Sequence, residues 1–509
     1  MGMININNLS FRYDGMQSNL FNKLNISIDE SWKLGLIGRN GRGKTTLMRI
    51  LLGQLEYIGD VQSNLKFHYF PQAVISDADS AQNVVLKMAG IDISELWRIQ
   101  IEMDKLQLKD TVLNQQFSTL SPGEKTKLKL AVLFSDENTF KLIDEPTNHL
   151  DVDGRKIVAD YLKQKTGFIV VSHDRDLINK VVDHVMSIDR SKVEVLKGDY
   201  DTWKVAFDQQ NEFEKRKKAE IEGDVKRLEK AAKRVSQWGN NTENKKGQSA
   251  YKGQGHVDLD KGFIGHKAAK VMKRKKVMER RTDSEIEEKK SLLKNIDEEQ
   301  ELTLNFSRTP QKNLLTVSDF TVSRSGHQLI EPISFKIGRH DRVAIMGPNG
   351  IGKTTVIRAI LGDESIETQG TSKLAGGLKI SYVGQLFDNV NGDLREYAES
   401  NKLDLSLFLN ALRKLGFDRS VFDNKMEDMS MGQKRKISLA KSLVEPANLY
   451  VWDEPLNYLD IITRQEIENL VLEVKPPMLF IDHDVMFVRD VATEKITLRM
   501  NSSGEELRY

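Results

Sequence analysis

Apolar residues along the chain fall into short runs, and the pattern of those runs occurs twice. A strand-like run leads into residues 38–46 (GRNGRGKTT) and another into residues 347–355 (GPNGIGKTT), with helix-like periodicity after each. Two further runs end in adjacent acids, Asp144-Glu145 and Asp453-Glu454, as buried strands do when they carry polar side chains to their C-terminal ends. A third pair ends in histidine, His173 in VVSHD and His483 in FIDHD, at nearly equal distances past those aspartates. A Ser-x-Gly element, at Ser121 and Ser430, lies equally far beyond Gly38 and Gly347, and the acid pair follows it at one fixed interval in both halves. The offset is 309 for the glycine, serine and acid landmarks, which predicts one α/β unit built twice.

Between the repeats the pattern changes. No proline occurs between Pro146 and Pro310. Residues 204–238 are rich in helix formers, with Val225, Leu228, Ala232 and Val235 spaced 3, 4, 3 as on one helix face. Residues 261–295 read as a second helix, with Ile264, Ala268 and Val271 similarly spaced, and a glycine-punctuated stretch at 239–260 separates the two. A helical hairpin with a long tip is expected, dividing the chain into residues 1–200, 201–305 and 306–509. At ~1.5 Å per residue its first arm would reach ~50 Å.

Composition adds an asymmetry. The formal charge is only +2, yet residues 225–281 hold 17 Lys or Arg against 5 Asp or Glu, which leaves the remainder near −10. A solvated hairpin carries charge for solubility, but an excess of one sign suits a polyanion. In the tip, Lys245, Lys246, Tyr251, Lys252 and His256 mix with glycines, a combination that matches RNA phosphates and unpaired bases. The absence of cysteine excludes disulfides and thiolate chemistry and fits a reducing cytoplasm. No window nears the ~18 to 20 unbroken apolar residues of a membrane helix. The first residues lack the basic-then-apolar order of a signal peptide, so a cytoplasmic protein without a membrane partner is expected.

The repeated motifs carry the chemistry of ATP. Gly38, Asn40, Gly41 and Gly43, and again Gly347, Asn349, Gly350 and Gly352, let backbone N–H groups approach the β- and γ-phosphates at a helix N-terminus. Lys44 and Lys353 would pair with phosphate oxygens, Thr45 and Thr354 would place a hydroxyl on Mg²⁺, and Thr46 and Thr355 complete the loops. Asp144 and Asp453 would hold Mg²⁺ partly through water, while Glu145 and Glu454 polarise the attacking water. Gln72 and Gln385 end strand-like runs and could reach both the ion and the water; His173 and His483 occupy matching catalytic places. Ser121 with Glu124, and Ser430 with Gln433, also read as capping boxes, with Pro122 at the first helical position. With Gly123 and Gly432, such a capped N-terminus could receive the γ-phosphate held by the opposite repeat.

In this order the motifs resemble the Walker A, Q-loop, signature, Walker B, D-loop (Asp151, Asp460) and H-loop elements of ATP-binding-cassette ATPases, over about 400 residues. The twin cassettes and basic helical linker resemble the ABC-F family of ribosome-binding translation factors. Residues 145–151 (EPTNHLD) and 454–460 (EPLNYLD) are similar to that family's Walker B continuation. The Q-loop-to-signature intervals, Gln72 to Ser121 and Gln385 to Ser430, are nearly equal and imply no sizeable arm insertion. The short stretch from His483 to Tyr509 implies no C-terminal extension. These features with the elongated tip resemble the antibiotic-resistance branch, and residues 32–44 (WKLGLIGRNGRGK) look like its Lsa/Vga type.

The resemblance implies two cassettes sandwiching two ATP molecules, with the Lys44 loop facing the Ser430 signature and the Lys353 loop facing Ser121. It further implies an internal pseudo-dimer acting as a monomer, with the bacterial ribosome as partner through large-subunit rRNA and tRNA at the exit and peptidyl sites. Its role would be protection of the peptidyl-transferase centre from lincosamide, pleuromutilin and streptogramin A drugs. A general factor that rescues stalled ribosomes and the ATPase subunit of a transporter are the alternatives. Two features depart from the family: Pro122 and Met431 stand at the third signature position, where glycine is usual, and Tyr13 has no aromatic equivalent near Arg324. Tyr13, upstream of Gly38, sits where an aromatic stacks on adenine, so the two sites are expected to be unequal.

Overall fold

In a computed structural model the described residues are 2–14, 19–72, 74, 77–136, 138–148, 150–189, 192–248, 273, 276–277, 280–281, 284–287, 302–324, 327–385, 391–417 and 421–500. The chain divides into one unit of Met1–Trp203 with Glu301–Tyr509 and a second unit of Lys204–Gln300.

The first unit holds two cassettes, each with a parallel and an antiparallel sheet. In the first cassette β1 (Met3–Phe11), β2 (Phe21–Asp29) and β4 (Ile58–Gln62) pair antiparallel in the order β2-β1-β4. The other sheet is built from β3 (Lys33–Gly38), β5 (Lys66–Phe70), β6 (Thr139–Asp144), β7 (Phe168–Val171), β8 (His184–Asp189) and β9 (Lys192–Lys197). Its order is β5-β6-β7-β3-β8-β9, parallel except for the β8–β9 pair. Strands β6 and β7 are buried almost continuously, as expected where both faces of a sheet are covered. The helices are α1 (Lys44–Leu51), α2 (Ala81–Ala89), α3 (Leu96–Lys105), α4 (Pro122–Phe134), α5 (Val152–Lys163) and α6 (Arg175–Val181).

The second cassette repeats this plan. Strands β10 (Asn313–Arg324), β11 (His327–Gln328), β12 (Ile333–Gly338) and β14 (Glu367–Leu374) form its antiparallel sheet. Strands β13 (Arg342–Met346), β15 (Ile380–Val383), β16 (Leu449–Asp453), β17 (Met478–Ile481) and β18 (Glu494–Thr497) form the parallel one, ordered β15-β16-β17-β13-β18. In register, Asp144 pairs with Val171 and Asp453 with Ile481, so the acid and histidine motifs leave adjacent strands at one level. The phosphate loops leave the next strands, β3 and β13, so all three motifs meet at the carboxyl edge where α/β sheets bind ligands. Behind that edge Trp452 is fully buried, its indole N–H donating to Ser442 at 2.9 Å.

The second unit is helical where described. Helix α7 (Tyr200–Gln248) runs for 49 residues. Ile221 and Val225 bury against Ile286, with Leu228 packed alongside, so residue 286 of the return segment lies on the apolar face of α7. The break expected from Gly239 does not fall there, because residues 239–248 continue the helix. A single glycine costs a helix only about 1 kcal/mol, and the Glu, Lys and Gln around Gly239 and Gly247 favour helix. Tyr251, Lys252, His256, Ile264, Ala268, Val271, Arg274 and Lys275 lie outside the described residues.

Candidate ATP-binding and hydrolysis sites

Each phosphate loop closes around its own lysine. Gly43 and Gly352, which cap the helices α1 and α8 (Lys353–Ile360), both lie at φ 98°, a left-handed conformation that disfavours any side chain. A Cβ at Gly43 would also come within 2.8 Å of Phe21 Cζ. The buried Lys44 Nζ donates to the carbonyls of Gly38 (2.7 Å) and Arg39 (3.2 Å) and to Asn40 Oδ1 (3.4 Å). Lys353 Nζ donates to the carbonyls of Gly347 (2.8 Å) and Pro348 (3.0 Å). Burial pulls both ammonium groups down, opposed by Asp460, Glu145 and Asp144 at Lys44, and by Glu454, Asp453 and Asp151 at Lys353. Charged donors held in such cradles are ready to exchange carbonyl oxygens for phosphate.

The aspartates stand beside the loop hydroxyls. Asp144 Oδ2 accepts from Thr45 Oγ1 at 3.1 Å and from Tyr69 O–H at 3.0 Å. Asp453 is completely buried, with neither carboxylate oxygen in a hydrogen bond of normal geometry among the described residues; burial pushes it up to about 6 against the opposing Thr354 hydroxyl. Thr354 Oγ1 lies 3.4 Å from Gln385 Oε1, while Gln72 Oε1 is buried with no hydrogen-bond partner among the described residues. Hydroxyl, amide oxygen and a single carboxylate are the donors a hard cation takes when substrate phosphates complete its shell, so these residues fit Mg²⁺.

The candidate catalytic acids share an unusual backbone and differ in their surroundings. Glu145 and Glu454 adopt φ 54° and 52°, rare for side chains of this kind and costing roughly 1–3 kcal/mol each. Their N–H groups donate to Val171 O (2.8 Å) and Ile481 O (2.9 Å), which fixes the turn out of the strand. His173 Nε2 lies 3.3 Å from Glu145 Oε1, and His483 Nε2 lies 3.3 Å from Glu454 Oε1. Glu454 also accepts from Asn457 Nδ2 at 2.6 Å and Gln385 Nε2 at 3.3 Å. Glu145 accepts the backbone N–H of His173 at 3.2 Å. Burial and the neighbouring Asp144 push Glu145 up to about 8. At Glu454 burial acts the same way, but His483, Gln385 and Lys353 outweigh it and hold the carboxyl below its usual range.

Each loop faces the signature helix of the other cassette. A cavity of about 600 Å³ joins Asn40 and Gly41 to Ser430, Gly432 and Gln433 at the start of the second signature helix, with Arg39, Arg42, Arg413 and Lys436 on its walls. A second, of about 730 Å³, brings Asn349, Gly350, Gly352, Lys353, Thr354, Thr355, Gln385, Glu454 and His483 together with Pro122. Both have the size of small-molecule sites. Each signature helix begins with a complete capping box: Glu124 N donates to Ser121 Oγ and Gln433 N to Ser430 Oγ, both at 3.3 Å. Across the interface Asn40 N donates to Asp460 Oδ2 and Asn40 Nδ2 to Tyr458 O, both at 3.0 Å, and Arg39 pairs with Glu466. Pattern reading does not single out Tyr69 or Asn457. Asn457 lies inside the EPLNYLD motif, whereas Tyr69 carries no signal beyond its place in the strand before Gln72.

A sequence profile of the family described as ABC transporter matches residues 21–148 and 330–457, the same interval in both halves. The chain belongs to the ATP-binding-cassette family. As an ABC protein with tandem cassettes it is an ATPase. It is 26% identical over 536 residues to the ribosome protection protein VmlR of Bacillus subtilis, covering 99% of this chain and 88% of that one. To the erythromycin resistance ATP-binding protein MsrA of Staphylococcus epidermidis it is 27% identical over 480 residues, 91% of each chain. The archaeal ribosome recycling factor aABCE1, solved with the stalk protein aP1, shares the fold with a TM-score of 0.60 at 19% identity, covering 98% of this ABC chain and 88% of that one. Among the described residues no helix is long and apolar enough to cross a membrane.

Tyr13 should distinguish the two ABC sites. It is partly exposed, packs edge-on against Phe11 at 4.8 Å and sets its hydroxyl 3.1 Å from Thr46 Oγ1. An aromatic face beside the loop adds contact area for a base, so Tyr13→Ala is expected to weaken nucleotide binding at the Lys44 site by roughly 1 kcal/mol. Titration with a fluorescent ATP analogue reads this directly, and equal site affinities unchanged by the substitution would count against it.

Proposed function

We propose that this ABC ATPase is a cytoplasmic ribosome-protection factor of the Lsa/Vga type, acting as a monomer on bacterial ribosomes. The observation that carries the reading is the similarity to VmlR across 99% of this chain, linker included. The basic excess of residues 225–281 supports contact with large-subunit rRNA and tRNA at the exit and peptidyl sites.

ATP at the Lys44 loop is capped by the Ser430 signature, and ATP at the Lys353 loop by Ser121 and Pro122, so two bound triphosphates draw the cassettes together. Thr45, Asp144 and Gln72, and Thr354, Asp453 and Gln385, would hold Mg²⁺, which would supply positive charge against the triphosphate. Glu145 and Glu454 orient water for attack and accept its proton, and His173 and His483 keep each carboxylate aimed. Closure presents the linker to the ribosome and its tip to the peptidyl-transferase centre, displacing a drug directly or through rRNA. Hydrolysis reopens the cassettes.

Replacing residues 249–260 with a few glycines and serines tests this reading, since it leaves every phosphate loop untouched. Resistance to lincosamide, pleuromutilin and streptogramin A drugs is expected to disappear in cells expressing parent and variant equally, with ATP turnover retained. Undiminished resistance would favour a general factor acting on stalled ribosomes.

A further inference from the structure

Arg175, the first residue of α6 and close behind His173 in the chain, is buried and reaches into the other cassette. Its Nε and Nη2 donate to the two carboxylate oxygens of Asp484 at 3.2 and 3.0 Å, Nη2 donates to Glu468 at 2.7 Å and Nη1 to Gln465 at 3.2 Å. A planar guanidinium gripped along two edges fixes the orientation of what it binds. Asp484 in turn caps the helix Val485–Val491, accepting from the N–H groups of Met486 (3.1 Å) and Phe487 (3.0 Å). Its own N–H donates to Asp482 Oδ1 at 2.7 Å. His483, the partner of Glu454, lies between these two anchored aspartates. Tyr200, the first residue of α7, is buried within electrostatic reach of Arg175, Glu468 and Asp484.

The mirror arrangement lacks this donor. Asp174 caps α6 through Asp176 and Leu177, and each turn has an arginine from its own cassette, Arg155 at 3.5 Å from Asp174 and Arg464 at 3.5 Å from Asp484. At the repeat offsets, however, Val485 stands in the place of Arg175, Ala159 in that of Glu468 and Lys156 in that of Gln465. Asp484 therefore lies within ion-pair distance of arginines from both cassettes, and Asp174 of Arg155 alone among the described residues.

We propose that Arg175 is a positioning residue lent by the first cassette to the Glu454–His483 pair of the second, so that hydrolysis at the Lys353 site requires the cassettes to be docked at Arg175. The Lys44 site has no reciprocal requirement. The proposal rests on ATP hydrolysis alone and stands whether or not the ribosomal reading holds.

The test uses the full chain with Arg175→Val, the residue that the fold already carries at the mirror position, and Arg175→Lys. Hydrogen exchange at the Met486 and Phe487 amides should quicken by at least about tenfold in Arg175→Val, while exchange at Asp176 and Leu177 changes by less than about twofold. With Glu145→Gln silencing the first site, Arg175→Val should lower kcat at least about tenfold with KM within about twofold, and Arg175→Lys should recover part of the loss. With Glu454→Gln silencing the second site, the change should stay within about twofold. Unchanged exchange at Met486 and Phe487, or equal loss of kcat in both backgrounds, would overturn the assignment. If Arg175→Val fails to fold, Glu468→Ala carries the same readouts at about threefold, and no change in either overturns it as well.

Discussion

With glutamine at both Glu145 and Glu454, ATP turnover falls by at least about a hundredfold while ATP still binds. The amide keeps the shape of the carboxylate but cannot take the proton of the attacking water. Binding survives because Lys44 and Lys353 are cradled by carbonyls of their own loops rather than by these acids. Asn457 and Gln385 can still donate to the remaining amide oxygen at position 454, so the turn out of the strand is retained. Phosphate release measured beside equilibrium ATP binding separates the two effects. In the proposed role the closed form should then accumulate on ribosomes and co-sediment with them in ATP. Parental turnover in the double variant would remove both acids from the mechanism.

Salt should weaken ribosome binding steeply, and changing Lys273, Arg274, Lys275 and Lys276 to Gln should flatten that dependence. Each phosphate contact releases counterions worth a slope of about 0.7 to 0.9 in log affinity against log salt, so four lost charges lower the slope by about three. Over a fourfold rise in salt, the parent would lose roughly sixtyfold more affinity than the variant. Binding titrations across a potassium chloride series read the slope, with ATPase activity of the free protein as the check that the nucleotide sites are intact. An unchanged slope would place the RNA contact on the cassette surfaces.

Much of the ATPase chemistry is visible in the sequence because its determinants are local. A phosphate loop, an acid-ended strand and a capping box each occupy a short stretch of chain, so Lys44, Asp453 and Ser430 can be located from spacing alone. The environment of those groups is another matter. Tyr69 reaches Asp144, and Arg175 reaches Asp484, from far along the chain, so neither contact leaves a periodic trace. The left-handed backbone of Glu145 and Glu454 is equally silent, since nothing about a glutamate announces it. In the linker the pattern misleads in the other direction. Gly239 reads as punctuation, but one glycine is a small penalty against a long run of helix formers.

The pairing of Arg39 with Glu466 bears on the ancestry of the chain. At the repeat-equivalent places stand Pro348 and Ile157, which cannot form that pair. Two copies fused from one ancestral gene would have met as equals about a twofold axis. Here complementary charge stands on one side of that axis and not on the other, so the halves are not exchangeable at this contact. A chain assembled from two first cassettes would set Arg39 against Ile157, and one assembled from two second cassettes would set Glu466 against Pro348.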